Sequence, residues 1–250
     1  MAGVHGQEGR IILTRIAAPG IALFAVIVII GLLLTPPGIA ISTSEDSINA
    51  ALEASRTDTW NTVTLAWSLL GSQGGIIGVG IIVAALILAR TRNRRLAAVP
   101  VVASILQEAI FLIAANIVDR PRPLVAHLDE APPTASYPSG HVGASTTLYL
   151  TFALLALEIR TAWIRWLTII VCLTVPLLVA FGRLYRGMHH LTDVGAALLN
   201  GITCALLTYW WYRSSKRHTP APPDSATQSV TGEETRTERS HDRAPTPAGD

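Results

Sequence analysis

The chain has 250 residues, of which 50% are hydrophobic and 14% are charged, and its mean hydropathy is +0.43. This composition argues against an ordinary water-soluble domain, in which charged residues make up about 25%. A net charge of +2, with no basic run that carries interleaved aromatic residues, argues against nucleic-acid binding. Cys172 and Cys204 lie inside apolar blocks without metal-ligand spacing, which predicts buried reduced thiols and no zinc site.

Long apolar blocks predict six membrane-spanning helices. A helix of about 20 apolar residues is long enough to cross a bilayer. The predicted spans cover residues 16–35, about 63–89, 96–118, about 142–157, 163–181 and about 194–212. The sequence therefore predicts an all-α, polytopic membrane bundle in which residues 16–213 form the spanning domain. Segment 38–62 mixes charged and apolar residues, and a short interfacial helix is predicted there.

Basic residues collect on one side of this predicted bundle. They flank spans one, two, four, five and six: Arg10, Arg15, Arg90, Arg92, Arg94, Arg95, Arg160, Arg165, Arg213, Lys216 and Arg217. The positive-inside rule places that side in the cytoplasm, so the protein is predicted to be a cell-membrane protein whose loops 36–62, 119–141 and 182–193 face outside. In an alternative interpretation, span one is a cleaved signal peptide that ends near residues 38–40. The later basic clusters would keep the same orientation.

The two ends of the chain are predicted to lie in the cytoplasm. Residues 1–15 form a short N-terminal segment. Residues 214–250 are rich in Pro, Thr, Ser and charged pairs and contain almost nothing apolar. Because such a composition cannot bury enough surface to order a chain, this segment is predicted to be a disordered tail.

Three short segments beside the ends of predicted spans carry residues suited to phosphate chemistry. They are residues 120–123 (Arg-Pro-Arg-Pro), 138–141 (Pro-Ser-Gly-His) and 183–193. Arginines carry permanent charges on a fork that matches phosphate oxygens. A histidine with a carboxylate four residues later can be held in one tautomer and act as a nucleophile. A second histidine can protonate a leaving oxygen, and these groups require no metal cluster.

His189 and Asp193 are placed at the start of span six. On a helix, a spacing of four residues puts both side chains on one face. Asp193 is therefore expected to accept a hydrogen bond from one ring nitrogen of His189 and leave the other nitrogen free to attack phosphorus. The structural alternative is a helix N-terminus capped by Asp193, with an exposed histidine.

The segment Ser139–Gly140–His141 precedes span four. Unpaired backbone N–H groups and the helix dipole favour an anion at such a position. Gly140 is expected to let the backbone approach a phosphate closely, and the Ser139 hydroxyl to add a donor. A simple helix cap is the alternative.

These segments resemble the motifs of the type 2 phosphatidic acid phosphatase family, which shares a core with the vanadium haloperoxidases. The family pattern is Lys-x6-Arg-Pro, then Pro-Ser-Gly-His, then Ser-Arg-x5-His-x3-Asp. Arg122-Pro123 closes the first motif, residues 138–141 match the second, and the third is matched by Arg183, His189 and Asp193. The resemblance covers roughly residues 15–213.

Two positions depart from the family pattern. Ala115 stands where the lysine of the first motif is expected, and Gly182 stands where the serine of the third is expected. Arg120 is a possible replacement for the missing cation. The resemblance implies that Arg122 and Arg183 bind the non-bridging oxygens of a phosphate and stabilise the charge of the transition state. It also implies that His141 is the general acid.

The resemblance implies a hydrolase of phosphoric monoesters or diphosphates that uses neither a metal nor a cofactor. Its substrate is then a lipid phosphate in the membrane, and the reaction passes through a phosphohistidine on His189. Polyprenyl diphosphate, phosphatidylglycerol phosphate and phosphatidic acid are the candidates, with polyprenyl diphosphate modestly favoured. Two alternatives stay open, namely a lipid phosphotransferase and a catalytically weakened lipid-phosphate binder. The sequence does not indicate the oligomeric state.

Several polar residues fall outside these motifs. Glu108 is in the middle of span three and is expected to face the bundle interior, because a carboxylate at that depth is costly unless it is paired. His127, Asp129 and Glu130 are expected to lie in a solvated loop, with substrate gating as a minor alternative. His190 is expected to support the site at most.

Overall fold

The computed structural model describes residues 13–35, 40–131 and 134–217 of the chain. In this part of the chain a π-helical turn, Leu13–Ala17, leads into the first of eight α-helices. These are α1 (Ala18–Leu34), α2 (Ala40–Ala54), α3 (Asp58–Leu70), α4 (Gln73–Thr91), α5 (Arg94–Val118), α6 (Gly140–Ala156), α7 (Ala162–Tyr185) and α8 (Leu191–Arg217). The predicted all-α membrane bundle is confirmed. Residues 214–217, predicted to belong to the disordered tail, continue α8, and the rest of that tail lies outside the described residues. Residues 38 and 39 of the alternative cleavage site also lie outside them.

Five segments of the described chain are long and apolar enough to cross a membrane. They are Thr14–Leu34, Gln73–Thr91, Arg94–Val118, Ala162–Tyr185 and Leu191–Ser214. The remaining predicted span, about 142–157, corresponds to α6, which has 17 residues. Most of the α6 side chains are buried, and Val142 packs in one apolar cluster with Val179 of α7 and Ala197 of α8. Helix α6 is therefore the central helix around which the longer spans pack.

The second predicted span is divided into two helices, so its predicted start near residue 63 is wrong. Helix α3 ends at Leu70, and α4 begins at Gln73, where Ser72 Oγ caps it by accepting the N–H of Gly75 at 3.2 Å. A Cβ on Gly71 would lie 2.6 Å from Val179 Cγ1 and 2.9 Å from the carbonyl oxygen of His141. The break at Gly71 therefore brings the chain close to the start of α6.

Glu108 does not face the bundle interior as expected. It is exposed on α5, whereas its neighbour Gln107 is buried. One residue along a helix turns the side chain by about 100°. The inward position is taken by Gln107, whose Nε2 would lie 2.7 Å from a Cβ on Gly143 of α6.

The three motif segments lie at one end of the bundle. Helix α5 ends and α6 begins there, with the 119–139 loop between them. Helix α7 ends and α8 begins at the same end, joined by residues 186–190. The helix predicted in segment 38–62 is present as α2, and its Glu45 and Asn49 are buried. This end of the bundle collects the polar groups that form the site.

Candidate active site

Asp193, in the first turn of α8, is fully buried and accepts hydrogen bonds from three residues. Its Oδ1 accepts from Arg120 Nη1 at 2.6 Å. Its Oδ2 accepts from Ser136 Oγ at 2.5 Å and from the backbone N–H of His190 at 2.8 Å. The ring nitrogen Nδ1 of His190 is a further 3.2 Å contact. These bonds compensate the cost of removing a carboxylate from water.

Arg120 lies between two buried carboxylates. Besides Asp193 it binds Glu45 Oε2 through Nη2 at 2.8 Å, and its Nη1 also donates to Thr192 Oγ1 at 2.8 Å. Because its N–H groups face carboxylates, Arg120 is an ion-pair residue in this structure, and the contacts do not support its predicted role as a phosphate ligand that replaces the missing lysine. Ala115 itself is buried on α5, where its methyl group supplies no charge.

His189 lies in the turn before α8, so the helical spacing argument does not apply to it. Helix α8 begins at Leu191, and the expected hydrogen bond to Asp193 is absent, with 3.9 Å between Nδ1 and Oδ2. Nδ1 instead lies 2.7 Å from the carbonyl oxygen of Ser136. Since a carbonyl only accepts, Nδ1 carries the proton and the lone pair of Nε2 is free. Asp193 thus orients His189 through Ser136 rather than directly.

The environment of His189 keeps its ring neutral. The side chain is buried, and this burial, together with the nearby charge of Arg183, lowers the pKa of His189 to about 3. An imidazole with that pKa is unprotonated at neutral pH. A neutral ring with a free Nε2 is the form that nucleophilic attack requires.

The arginines near the end of α7 pair with a carboxylate of the 119–139 loop. Arg183 Nη1 donates to Asp129 Oδ2 at 2.6 Å and to Ser68 Oγ at 2.9 Å. Arg186 binds Asp129 through Nε at 2.9 Å and Nη2 at 2.6 Å. Although burial acts to raise the pKa of Asp129, hydrogen bonds from Arg186 and the charge of Arg183 lower it overall. The expectation that Asp129 belongs to a solvated loop is therefore wrong.

Two polar atoms of the site have no hydrogen-bond partner in the described part of the chain. Ser139 Oγ and Arg183 Nε are both buried and unpaired. Ser139 is the N-cap residue of α6, yet its hydroxyl makes no capping bond. Leaving a buried donor unpaired costs about 1–3 kcal/mol, so one such atom at the N-terminus of α6 and another on an arginine in the last turn of α7 indicate a place for a bound anion.

Gly140 has a packing reason for being glycine. A Cβ at this position would lie 2.8 Å from Cζ of Phe111 on α5. The space that a side chain would fill is therefore occupied by an aromatic ring, and the approach of a phosphate to the Gly140 backbone stays a prediction. In the turn before α8, Gly187 has a φ of +73°, a conformation that only glycine adopts without strain.

The remaining predicted residues lie around the same turn. Arg122, half-buried, donates through Nη1 to the carbonyl oxygen of Met188 at 2.7 Å and so holds the residue before His189. His141, half-buried in the first turn of α6, lies within electrostatic range of Arg183, Asp129 and Arg122. The structure thus places the predicted residues of all three motifs at one end of the bundle.

Sequence reasoning missed three residues of this network, namely Glu45, Asp129 and Ser136. Ser136 lies two residues before the Pro-Ser-Gly-His segment, and this proximity was a usable signal. Asp129 and Glu45 are separated from the motifs along the chain. The sequence indicated only that each of them is a carboxylate in a loop predicted to lie on the same side as several arginines.

The fold and the site define an all-α, multi-pass membrane protein with a buried site of arginines, histidines and carboxylates at one end of the bundle. The family model of the PAP2 superfamily matches residues 96–217, so this segment of the chain is similar to that superfamily. The resemblance to the type 2 phosphatidic acid phosphatases is therefore confirmed. No curated protein matches the chain.

Two solved structures are similar to this fold. One is the transmembrane PAP2 type phosphatidylglycerolphosphate phosphatase from Bacillus subtilis, with a TM-score of 0.66 and 19% identity, covering 80% of this chain and 97% of that chain. The other is LpxE from Aquifex aeolicus, with a TM-score of 0.52 and 19% identity, covering 65% of this chain and 92% of that chain. At this identity the likeness concerns the fold.

Proposed function

We propose that this protein is a membrane-embedded phosphatase that hydrolyses a lipid phosphate or diphosphate through a phosphohistidine intermediate on His189. The observation that carries the proposal is the pair of unpaired buried atoms, Ser139 Oγ and Arg183 Nε, in a site that also holds a neutral His189 with a free Nε2. The match of residues 96–217 to the PAP2 superfamily and a structural relative named as a phosphatidylglycerolphosphate phosphatase support the same chemistry.

The proposed reaction has two displacement steps. Nε2 of His189 attacks phosphorus, the bond to the leaving oxygen breaks, and His141 gives that oxygen a proton. The positive charge that forms on the His189 ring is balanced by Asp193, whose Oδ2 lies 3.9 Å from Nδ1. In the second step, water attacks the phosphorus of the phosphohistidine. His141 takes a proton from that water, and the P–N bond breaks to release phosphate and His189.

The arginines are assigned to the charge that develops during transfer. Arg122 and Arg183 bind the non-bridging oxygens and stabilise the five-coordinate transition state, together with Ser139 Oγ and the N-terminus of α6. Side chains of this chain supply every role in that scheme, so turnover is proposed to need no metal or cofactor.

The substrate is proposed to be an amphiphile, because the site lies where membrane-spanning helices end. Polyprenyl diphosphate, phosphatidylglycerol phosphate and phosphatidic acid fit this description, and transfer of the phosphoryl group to another lipid is the alternative outcome of the same intermediate. A weakened lipid-phosphate binder is a second candidate function, favoured by two observations: Ala115 adds no cation, and Arg120 is neutralised by two carboxylates.

Turnover of purified protein tests this proposal. The full chain in detergent is incubated with the three candidate lipids, with EDTA present throughout, and released phosphate is measured. We expect release from at least one lipid, inhibition by vanadate, and no release by His189→Asn. Binding without release by the wild type would favour the binder, and activity that EDTA abolishes and a divalent cation restores would overturn the metal-independent mechanism.

The site is proposed to face the outside of the cell membrane, because the basic clusters lie at the opposite end of the bundle. Single cysteines at Ala131, in the motif loop, and at Ser215 are labelled in whole cells with a membrane-impermeant reagent. We expect labelling of position 131 alone. Labelling of position 215 alone would reverse the orientation.

A further inference from the structure

Helix α2 contributes to the site although it lies outside the segment that the family model matches. That segment begins at residue 96, whereas α2 covers Ala40–Ala54. Glu45 on α2 is 3% exposed, and both of its carboxylate oxygens are bonded. Oε2 binds Arg120 Nη2 at 2.8 Å, and Oε1 accepts the backbone N–H of Thr192 at 2.6 Å.

We propose that Glu45 is a positioning residue of the active site, acting on His189 through Arg120 and the N-terminus of α8. The proposal rests on the function proposed above, in which His189 is the nucleophile. Glu45 touches neither His189 nor the phosphate pocket through any hydrogen bond in the described residues, so its effect has to pass through its two partners.

A continuous series of short bonds connects Glu45 to the nucleophile. Arg120, held by Glu45, donates to Asp193 at 2.6 Å. Asp193 accepts from Ser136 Oγ at 2.5 Å, and the backbone carbonyl of Ser136 lies 2.7 Å from Nδ1 of His189. Every residue in the series is at most 4% exposed. The series is therefore shielded from bulk solvent, and a shift at one end is passed along the bonded groups.

A carboxylate is required at position 45 for a geometric reason. Glu45 accepts from two donors at once, a guanidinium and a backbone N–H of the first turn of α8. A glutamine has only one acceptor oxygen, so its NH2 group would face one of these donors and leave it unpaired. It would also remove the negative charge that stabilises the N-terminus of α8 and pairs with Arg120.

Glu53 and Arg56, at and just after the C-terminal end of α2, bond the 119–139 loop, and Glu53 supplies a matched control for Glu45. Glu53 Oε1 accepts the backbone N–H of Ala126 at 2.8 Å, and Arg56 Nη1 donates to the carbonyl oxygen of Ala126 at 2.7 Å. Arg56 Nε also donates to the carbonyl oxygen of Tyr185 at 3.1 Å. Glu53 shares the helix and the residue type of Glu45, yet has no bond to Arg120 or α8.

The test compares Glu45→Gln with Glu53→Gln in the full-length protein in detergent. For E45Q we expect kcat to fall about 10- to 100-fold, because a displacement of about 1 Å at a reacting group costs up to about 100-fold. The inhibition constant of inorganic phosphate should change by less than about threefold, because Glu45 does not bond Arg122 or Arg183, the arginines proposed to bind phosphate. For E53Q both quantities should stay within about threefold of wild type.

A double-mutant cycle with Arg120→Gln tests the route. Because Glu45 is proposed to act partly through Arg120, the loss of kcat in E45Q/R120Q should be clearly smaller than the product of the two single losses. Should R120Q not fold, Glu45→Asp takes its place. Aspartate keeps the charge but is too short to reach both partners, so kcat should fall as in E45Q. Additive losses in the cycle, or wild-type kcat in E45D, would overturn the proposal.

Hydrogen exchange separates this proposal from the proposed function. Backbone N–H groups of residues 189–195 should exchange faster in E45Q than in E53Q, whether or not the protein turns over substrate. An inactive wild type with this exchange difference would reject the phosphatase and keep the positioning role. An active wild type whose E45Q variant has unchanged kcat and exchange would reject the positioning role alone.

Discussion

The two halves of the site differ in how completely their polar groups are paired. In the half around Asp193, Arg120 bonds the carboxylates of Asp193 and Glu45. Glu45 also accepts a backbone N–H from the first turn of α8. In the half formed by the start of α6 and the last turn of α7, Ser139 Oγ and Arg183 Nε are buried without a partner in the described residues, although Nη1 of Arg183 is bonded to Asp129 and Ser68. The paired half is suited to holding His189 still, and the unpaired half to receiving an anion.

Removing the nucleophile should have the largest effect. His189→Asn keeps a polar side chain of similar width but has no ring nitrogen to attack phosphorus, so kcat should fall by at least about 10⁴-fold. His127→Asn is the control, because His127 contacts the carbonyl of Pro123 and has no bond to the Asp193 network. Released phosphate measures both. A loss below tenfold in H189N would remove His189 from the mechanism.

Two arginine variants should separate the halves. Arg183→Gln removes a cation from the anion site and should lower kcat/KM by about 10²–10³-fold. Arg120→Gln leaves Asp193 and Glu45 without their shared cation, and breaking such a buried pair costs about 3–5 kcal/mol of stability.

The melting temperature in detergent and kcat/KM are measured for both R120Q and R183Q. R120Q should melt below R183Q, because Asp129 keeps its bonds to Arg186 when Arg183 is replaced, whereas Glu45 and Asp193 both lose their cation in R120Q. R183Q should have the lower kcat/KM of the two. The reverse order of melting temperatures would contradict the division into a paired and an unpaired half.

Two serine variants make the same comparison with smaller effects. Ser139→Ala removes a hydroxyl without a partner, so the melting temperature should be unchanged while kcat/KM falls about tenfold. Ser136→Ala removes the donor to Asp193 and should destabilise by about 1–3 kcal/mol. Unchanged activity in S139A would show that the unpaired hydroxyl does not meet substrate.

The pH profile should show the smallest effect. Burial lowers the pKa of His189 to about 3, so its neutral form persists as the pH falls and is lost only near pH 3. The acid limb of kcat/KM that belongs to the nucleophile should therefore lie below about pH 4 rather than near the usual value of about 6.5. A limb near pH 6.5 that the ionisation of the substrate does not explain would contradict the buried, neutral ring.

Most of the fold was predictable because the local composition of the sequence indicates where membrane spans begin and end. The apolar blocks and basic clusters located the long helices, and α6 was found although it is only 17 residues long. The division at Gly71 was missed because the apolar run continues through it. The side that Glu108 faces was also missed, because a carboxylate in an apolar helix does not reveal which neighbouring helices cover it.

The identity of the site residues was more predictable than their connections. Motif spacing located His141, Arg122, Arg183 and His189 at one end of the bundle. It did not reveal that His189 bonds the carbonyl of Ser136, because that bond depends on where α8 begins. The partners of Arg120 and Arg183 are 54 to 115 residues away along the chain, so no local pattern specifies them.

Trapping the intermediate tests the central claim most directly. The wild type and the His189→Asn variant are incubated with a 32P-labelled lipid phosphate, quenched in base, and the labelled residue is identified by peptide mapping. We expect an acid-labile, base-stable phosphoryl group on His189 in the wild type and none in the variant. Hydrolysis by the wild type without label on His189, or equal label in the variant, would contradict the phosphohistidine mechanism.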